Sequence, residues 1–346
     1  MTIDEKYIYR CLQLARLGAG NAAPNPMVGA VLVYKNKIIG EGYHQQYGQA
    51  HAEVNCLNSV GVEEKLQIDK SILYVSLEPC AHYGKTPPCA DLIIKNKIPK
   101  VVVGCKDSYG EVNGKGIGKL RAAGIEVTVG VLENESIELN KRFFTFHQQQ
   151  RPYIILKWTQ SADGKIGSND GERVFISNEF SNRLVHQWRS EEAAIMVGTN
   201  TALKDNPSLT TRLYPGHNPA RIVIDMECKL PSSSHLLDGT VKTIVFNGIK
   251  QQEEENLSFY KIEKNNHSQI LNTLYQLKIQ SLIIEGGAAL LQSFIDANLW
   301  DEARVITNTE MKIETGISAP VLKHQKLTNT QDLLSDKIEY FINNNR

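Results

Sequence analysis

His51-Ala-Glu53, then Glu78-Pro-Cys80, then Cys89 after eight intervening residues, set the reading of the first half of the chain. One imidazole and two thiolates suit Zn²⁺. Three protein ligands leave one tetrahedral position open, which is the arrangement of a catalytic rather than a structural centre. A metal so held lowers the pKa of its bound water to about 7. Glu53, two residues past His51 at the start of a helix, can carry protons to and from that water without ligating. His44 and His82 are possible fourth ligands, so a closed structural site stands as the alternative. Cys11, Cys56, Cys105 and Cys228 read as small buried hydrophobes. Six cysteines in 346 residues form no disulfide framework.

Each ligand-bearing segment follows a strand-like run, where a helix begins, so an α/β layer brings the three together. Asp4 is placed to cap a helix carrying Ile8, Cys11, Leu12 and Ala15 at helical spacing. Val28–Tyr34, Ile38–Gly42, Ile72–Ser76, Lys100–Gly104 and Ile125–Val129 read as strands. Ala52–Asn58 and Cys89–Asn96 read as helices, as do a run ending at Gly124 and one reaching about His147. The polar stretch His147–Pro152 divides the chain into 1–147 and 151–346. A second strand series follows: Tyr153–Trp158, Ala194–Val197, Arg221–Asp225, Thr243–Asn247 and Ser281–Glu285. Helices at Asn178–Ser190 and Ala288–Ala297 fit between them. Lys250–Asn266 reads as a polar surface excursion.

Composition narrows the functions. With 41% hydrophobic and 22% charged residues and a net charge of zero, the chain is globular rather than disordered or fibrous. There are 17 basic against 15 acidic residues up to His147 and 21 against 23 beyond, so neither half has the basic excess of a phosphate-backbone binder. No apolar run approaches the ~20 residues of a membrane span. Met1–Lys6 lacks the basic segment and apolar core of a secretory signal, which makes the cytoplasm the expected address.

His-x-Glu followed by Pro-Cys is the zinc deaminase pattern, in which the glutamate shuttles protons during attack on an amino-bearing ring carbon. Nucleic-acid deaminases carry Cys-x-x-Cys, whereas here the second cysteine is displaced by Ala81–Pro88. Glu78-Pro-Cys-Ala-His-Tyr-Gly-Lys-Thr-Pro-Pro-Cys89, with Asn25-Pro-Met-Val-Gly29 and Gly42-Tyr-His-Gln-Gln-Tyr-Gly48 upstream, resembles the deaminase half of the RibD family of riboflavin biosynthesis enzymes. The resemblance implies one Zn²⁺ per chain on His51, Cys80 and Cys89, with Glu53 as the catalytic proton carrier. It further implies that Asn25, His44, His82 and Lys85 contact a pyrimidine or its ribose phosphate. The family often has prolines after Asp107, where this chain reads Ser108-Tyr-Gly110.

The second half has no Gly-x-Gly-x-x-Gly, so an ordinary Rossmann site is not expected. The strand Ser281–Glu285 does run into Gly286-Gly287 and a helix, a junction at which backbone N–H groups can meet a phosphate. Lys157-Trp-Thr-Gln-Ser-Ala-Asp-Gly-Lys-Ile166, Gly198–Pro207, Leu209-Thr-Thr-Arg212, Arg221–Asp225 and Glu285–Leu291 occur in the order of the reductase half of the same family. The combined resemblance spans about residues 4–320. It implies an N-terminal cytidine-deaminase-like three-layer α/β domain and a C-terminal dihydrofolate-reductase-like domain that uses NADPH. Gln160, Phe175, Thr201, Asp205 and Gly287 would then serve the cofactor. Arg173, Arg189, Leu209, Arg212 and Glu285 would serve the substrate, arginine forks being suited to a phosphate monoester.

Composition and resemblance together point to a cytoplasmic bifunctional enzyme acting on a small phosphorylated pyrimidine, without nucleic-acid or membrane partners, and the resemblance implies a homo-oligomer. Two alternatives are a nucleic-acid-editing deaminase with an appended domain and a zinc-stabilised non-catalytic module. A third is an active deaminase whose reductase half is inactive or otherwise employed.

Overall fold

The computed structural model describes residues 1–83, 87–107, 113–169 and 174–345. The chain splits into two compact units, Met1–Gln150 and Arg151–Arg346.

In the first unit the elements are α1 (Ile3–Arg16), β1 (Gly29–Tyr34), β2 (Lys37–Tyr43), α2 (Ala52–Asn58), β3 (Ile72–Leu77), α3 (Cys89–Lys95), β4 (Lys100–Cys105), α4 (Lys115–Ala122), β5 (Glu126–Val129), α5 (Glu133–Leu139) and α6 (Lys141–Gln149). The sheet order is β2-β1-β3-β4-β5. β1 pairs antiparallel with β2 and β3, and β3, β4 and β5 run parallel. Side chains alternate faces along a strand, and both faces here are apolar because both are covered. Ala30, Leu32, Leu73, Val75, Val101 and Val103 pack with Ala52, Cys56 and Ile93 on one side. Val31, Val33, Tyr74 and Val102 pack with Tyr7, Ile8, Cys11 and Leu12 of α1 on the other. The result is a three-layer α/β/α unit.

Two local expectations need correction. Thr2, not Asp4, caps α1: Thr2 Oγ1 accepts from Glu5 N at 3.2 Å while Glu5 accepts from Thr2 N at 2.7 Å. This reciprocal capping box satisfies two donors at once, which Asp4 inside the helix cannot do. The helix expected up to His147 is two, α5 and α6, meeting at Asn140. Its buried amide accepts from Met27 N at 2.8 Å and donates to Met27 O at 2.9 Å, so the break in the helix anchors the approach to β1.

The second unit contains β6 (Tyr153–Ser161), β7 (Lys165–Ser168), α7 (Glu179–Glu191), β8 (Ala194–Gly198), α8 (Thr199–Asp205), β9 (Ala220–Ile224), β10 (Thr243–Asn247), β11 (Gln252–Glu253), β12 (Leu257–Lys261), α9 (His267–Gln276), β13 (Ser281–Glu285), α10 (Ala288–Asp296), β14 (Glu302–Asn308), β15 (Gly316–Ser318), β16 (Gln325–Leu333) and β17 (Asp336–Asn343). Ten strands form one sheet in the order β11-β12-β10-β9-β8-β13-β6-β14-β17-β16. The strands from β12 to β14 are parallel. β11 at one end and β17 and β16 at the other are antiparallel. α9 and α10 cover one face and α7 and α8 the other. Lys250–Asn266 is not merely a surface excursion, because β12 lies within it and extends the sheet beside β10.

Candidate functional site

His51 is the residue that begins α2, Cys80 lies just past β3, and Cys89 opens α3. Strand end and helix starts bring their donor atoms within 4.8 Å of one another. His51 Nδ1 lies 3.5 Å from Cys80 Sγ and 3.4 Å from Cys89 Sγ. Bond lengths of about 2.0 Å to nitrogen and 2.3 Å to sulfur place tetrahedral N and S ligands about 3.5 Å apart, so the donor set fits a zinc ion. Hydrogen bonds from Cys89 and His51 pull the Cys80 thiol far below the usual thiol range, toward the thiolate that a metal takes. Glu53, in the first turn of α2, is buried and within reach of Cys89, and burial raises its carboxyl pKa.

His44 is buried, with its ring edge-on to His51 at 5.3 Å between centroids. Its Nδ1 lies 3.1 Å from the Ala50 carbonyl and its Nε2 lies 3.1 Å from Asn25 Nδ2. Both ring nitrogens are committed within the protein, which removes His44 as a fourth metal ligand. His82 follows Cys80 half-buried, and its buried Nδ1 has no hydrogen-bond partner among the described residues. No fourth ligand joins the cluster among the described residues. Lys85 lies outside the described residues.

The other predicted cluster forms in the second unit. Glu285, at the end of β13, receives a two-pronged bond from Arg189 of α7, Nε to Oε1 at 2.9 Å and Nη2 to Oε2 at 2.7 Å. Lys157 of β6 approaches the same carboxylate at 3.7 Å. Burial alone would raise Glu285, but the two cations overturn that and hold it at about 2. Arg189 also donates to Thr210 O, next to buried Leu209, whose φ of +52° is unusual for a branched residue. Arg212 is exposed. Gly286 and Gly287 have φ of +85° and +71°, and a Cβ on Gly286 would come within 3.1 Å of Thr201, so this turn and the start of α8 are in contact. Gln160 is engaged by Trp158 and Thr307. Phe175 is exposed and Asp205 ends α8. Arg173 lies outside the described residues.

Three further residues stand at these sites without a role implied by the sequence. Lys157 is a charge within an otherwise apolar strand, Tyr153-Ile-Ile-Leu-Lys-Trp158, which was a readable signal. His186 is buried on the apolar face of α7, and burial, then Arg189 and Arg212, push it down to about 4. Glu78 is buried beside the metal loop and, among the described residues, accepts four backbone N–H bonds.

Comparison with known proteins agrees with this geometry. A family model for the cytidine and deoxycytidylate deaminase zinc-binding region matches residues 1–105, and one for the RibD C-terminal domain matches residues 152–309. The riboflavin biosynthesis protein RibD of Aquifex aeolicus is 40% identical over 97% of this chain and 95% of its own length. The chain belongs to the RibD family. RibD of Escherichia coli is 35% identical over 86% of each chain. A solved structure from Thermotoga maritima, described as a diaminohydroxyphosphoribosylaminopyrimidine deaminase and 5-amino-6-(5-phosphoribosylamino)uracil reductase, superposes with a TM-score of 0.90 at 33% identity over 99% of both chains. RibD of Acinetobacter baumannii gives 0.88 at 30% identity. As a RibD protein, the chain is a bifunctional enzyme of riboflavin biosynthesis, a hydrolytic deaminase followed by a reductase. Among the described residues no helix is long and apolar enough to cross a membrane.

Proposed function

We propose that the N-terminal unit deaminates 2,5-diamino-6-ribosylamino-4(3H)-pyrimidinone 5′-phosphate and that the C-terminal unit then reduces its ribosyl group with NADPH. The product is 5-amino-6-(5-phosphoribitylamino)uracil. The observation that carries this reading is the near-tetrahedral spacing of His51, Cys80 and Cys89 with a buried carboxyl, Glu53, beside them.

His51, Cys80 and Cys89 would hold a zinc ion, which would lower the pKa of a water at the site to about 7 and so make it a nucleophile at neutral pH. Glu53 takes a proton at its carboxylate and delivers it to the departing amine. Its upward shift brings it nearer the range in which one group can do both. Asn25, fixed by His44, orients the ring, while His82 and Lys85 meet the ribose phosphate.

In the second unit a bound NADPH would supply the hydride. Thr201 and the Gly286-Gly287 turn would hold its phosphates, and Gln160, Phe175 and Asp205 would hold the rest of the cofactor. Glu285, kept anionic by Arg189 and Lys157, accepts from the hydroxyls of the opened sugar. Arg173, Arg212 and the Leu209 loop hold the rest of the substrate, and the hydride reaches C1′, the masked aldehyde carbon. The enzyme acts in the cytoplasm as a homo-oligomer, without nucleic-acid or membrane partners.

Mass spectrometry of the product formed by zinc-loaded protein tests the reading. Without NADPH the expected change is replacement of an amino group by oxygen, and with NADPH two further hydrogens are gained. No change in either condition would return the metal cluster to a structural role.

A further inference from the structure

We infer that Glu78 is a positioning residue for the deaminase: its carboxylate ties the loop that carries Cys80 to the first turn of α4, so that metal retention and the order of that turn are one property. This inference rests on the proposed metal site. Glu78 is 4% exposed and precedes Cys80 by two residues. Its Oε2 accepts from Asp107 N at 3.3 Å and Gly114 N at 3.0 Å. Its Oε1 accepts from Gly116 N at 3.0 Å and Ile117 N at 3.1 Å.

The first-turn amides of a helix have no partners within the helix, and a carboxylate there also meets the positive end of the helix dipole. Four N–H donors among the described residues on one buried carboxylate make a clamp that a neutral side chain cannot supply. A neutral amide such as glutamine offers a single acceptor oxygen and two donors that would face N–H groups. The loop is gripped from its other residue as well. A Cβ placed on Gly116 would lie 1.9 Å from Pro79 O, so α4 begins in direct contact with the peptide between Glu78 and Cys80. Cys80 then receives Cys89 N on its sulfur at 3.3 Å, which continues the chain of contacts into α3. A shift of the α4 start is therefore passed to the sulfur with little slack, because Glu78, Pro79, Gly116 and Ile117 are all buried.

Two measurements on the full-length protein test the clamp. In the first, zinc retention against a chromogenic chelator is compared for the unaltered chain and Glu78→Gln. Groups that orient metal ligands from behind are typically worth about 10–100-fold in affinity or activity, and that loss is expected. The deaminase kcat should fall more than KM changes, while reduction of pre-deaminated substrate stays at its original rate. Equal zinc retention and equal deamination would overturn the proposal. In the second, which needs no variant, amide exchange is followed in the unaltered chain with zinc bound and after chelation. Gly114, Gly116 and Ile117 should exchange about tenfold faster or more without metal, with Ala123, bonded inside the helix to Lys119 O, moving much less. Unchanged exchange, or the same acceleration at Ala123, would overturn it. A chain that takes up no zinc at the outset would instead overturn the metal reading on which the clamp depends.

Discussion

Replacing Glu285 by glutamine removes the negative charge that Arg189 and Lys157 share. The side chains of Glu285, Lys157 and Arg189 are only 9%, 12% and 13% exposed, so solvent screens their attraction weakly. Glu285 is held at about 2 against an ordinary value of 4.5. A depression of that size corresponds to about 3 kcal/mol of stability, at 1.36 kcal/mol per pKa unit. Removing one partner of a buried ion pair costs about 3–5 kcal/mol, which agrees. The folded-state pKa is the depressed one, so the contribution is complete above the unfolded value near 4.5 and is lost as pH falls through about 2. Glutamine does not titrate, so the deficit of the variant should be constant from pH 7 to about 5.5 and shrink steadily below 4.5. Urea unfolding followed by tryptophan fluorescence isolates the effect, because Trp158, Trp188 and Trp300 all lie in the second unit. With a slope of about 2 kcal/mol per molar urea, the midpoint should fall by about 1.5 M at pH 7. A variant within about 0.5 kcal/mol of the parent at pH 7, the scatter of an ordinary surface change, would refute the reasoning. So would a deficit unchanged at the acid end.

Glu53→Gln should retain zinc yet lose deamination by about 10²-fold or more, with reduction of pre-deaminated substrate intact; loss of both activities in a folded variant would break the two-site assignment. Removing the metal with a chelator should likewise silence ammonia release alone, and added zinc should restore it. Gly287→Val forces a branched side chain into φ of +71° beside Thr201 and should raise the KM for NADPH about tenfold, since a left-handed residue costs about 1–2 kcal/mol. An unchanged KM would take this turn out of the cofactor site. Thr2→Ala opens the α1 capping box and should lower the calorimetric stability of the first unit by about 1 kcal/mol, which an unmoved transition would contradict.

The metal site was legible because its information is local: three short motifs, each at a strand-to-helix junction, specify both donors and placement. The central strands were legible for a related reason, since burial on both faces leaves compact apolar runs such as Ser281-Leu-Ile-Ile-Glu285. β16 shows the opposite case. Gln325–Leu333 is exposed at nearly every position and is held through backbone pairing with β17, so no apolar pattern marks it. β12 escaped for the same reason, being only partly covered next to the short edge strand β11. The break at Asn140 depends on a partner 113 residues away, which no local window contains. In the reductase unit, the Arg189–Glu285 pair spans 96 residues of sequence and required the resemblance to be named at all.

The His44–Asn25 contact has a consequence for what the pocket can hold. A carbonyl oxygen only accepts, so the Ala50 contact makes His44 Nδ1 the protonated nitrogen. Burial lowers the His44 pKa and keeps the ring neutral, leaving Nε2 as a lone-pair acceptor. Asn25 must then spend its NH₂ group on that lone pair, and its carboxamide oxygen is turned the other way. On the proposed role of Asn25 in orienting the ring, a heterocycle whose edge bears N–H would dock against that oxygen, whereas one bearing a bare ring nitrogen would meet lone pair with lone pair. With that role, proton placement on a buried imidazole would set which tautomeric edge of a base is admitted.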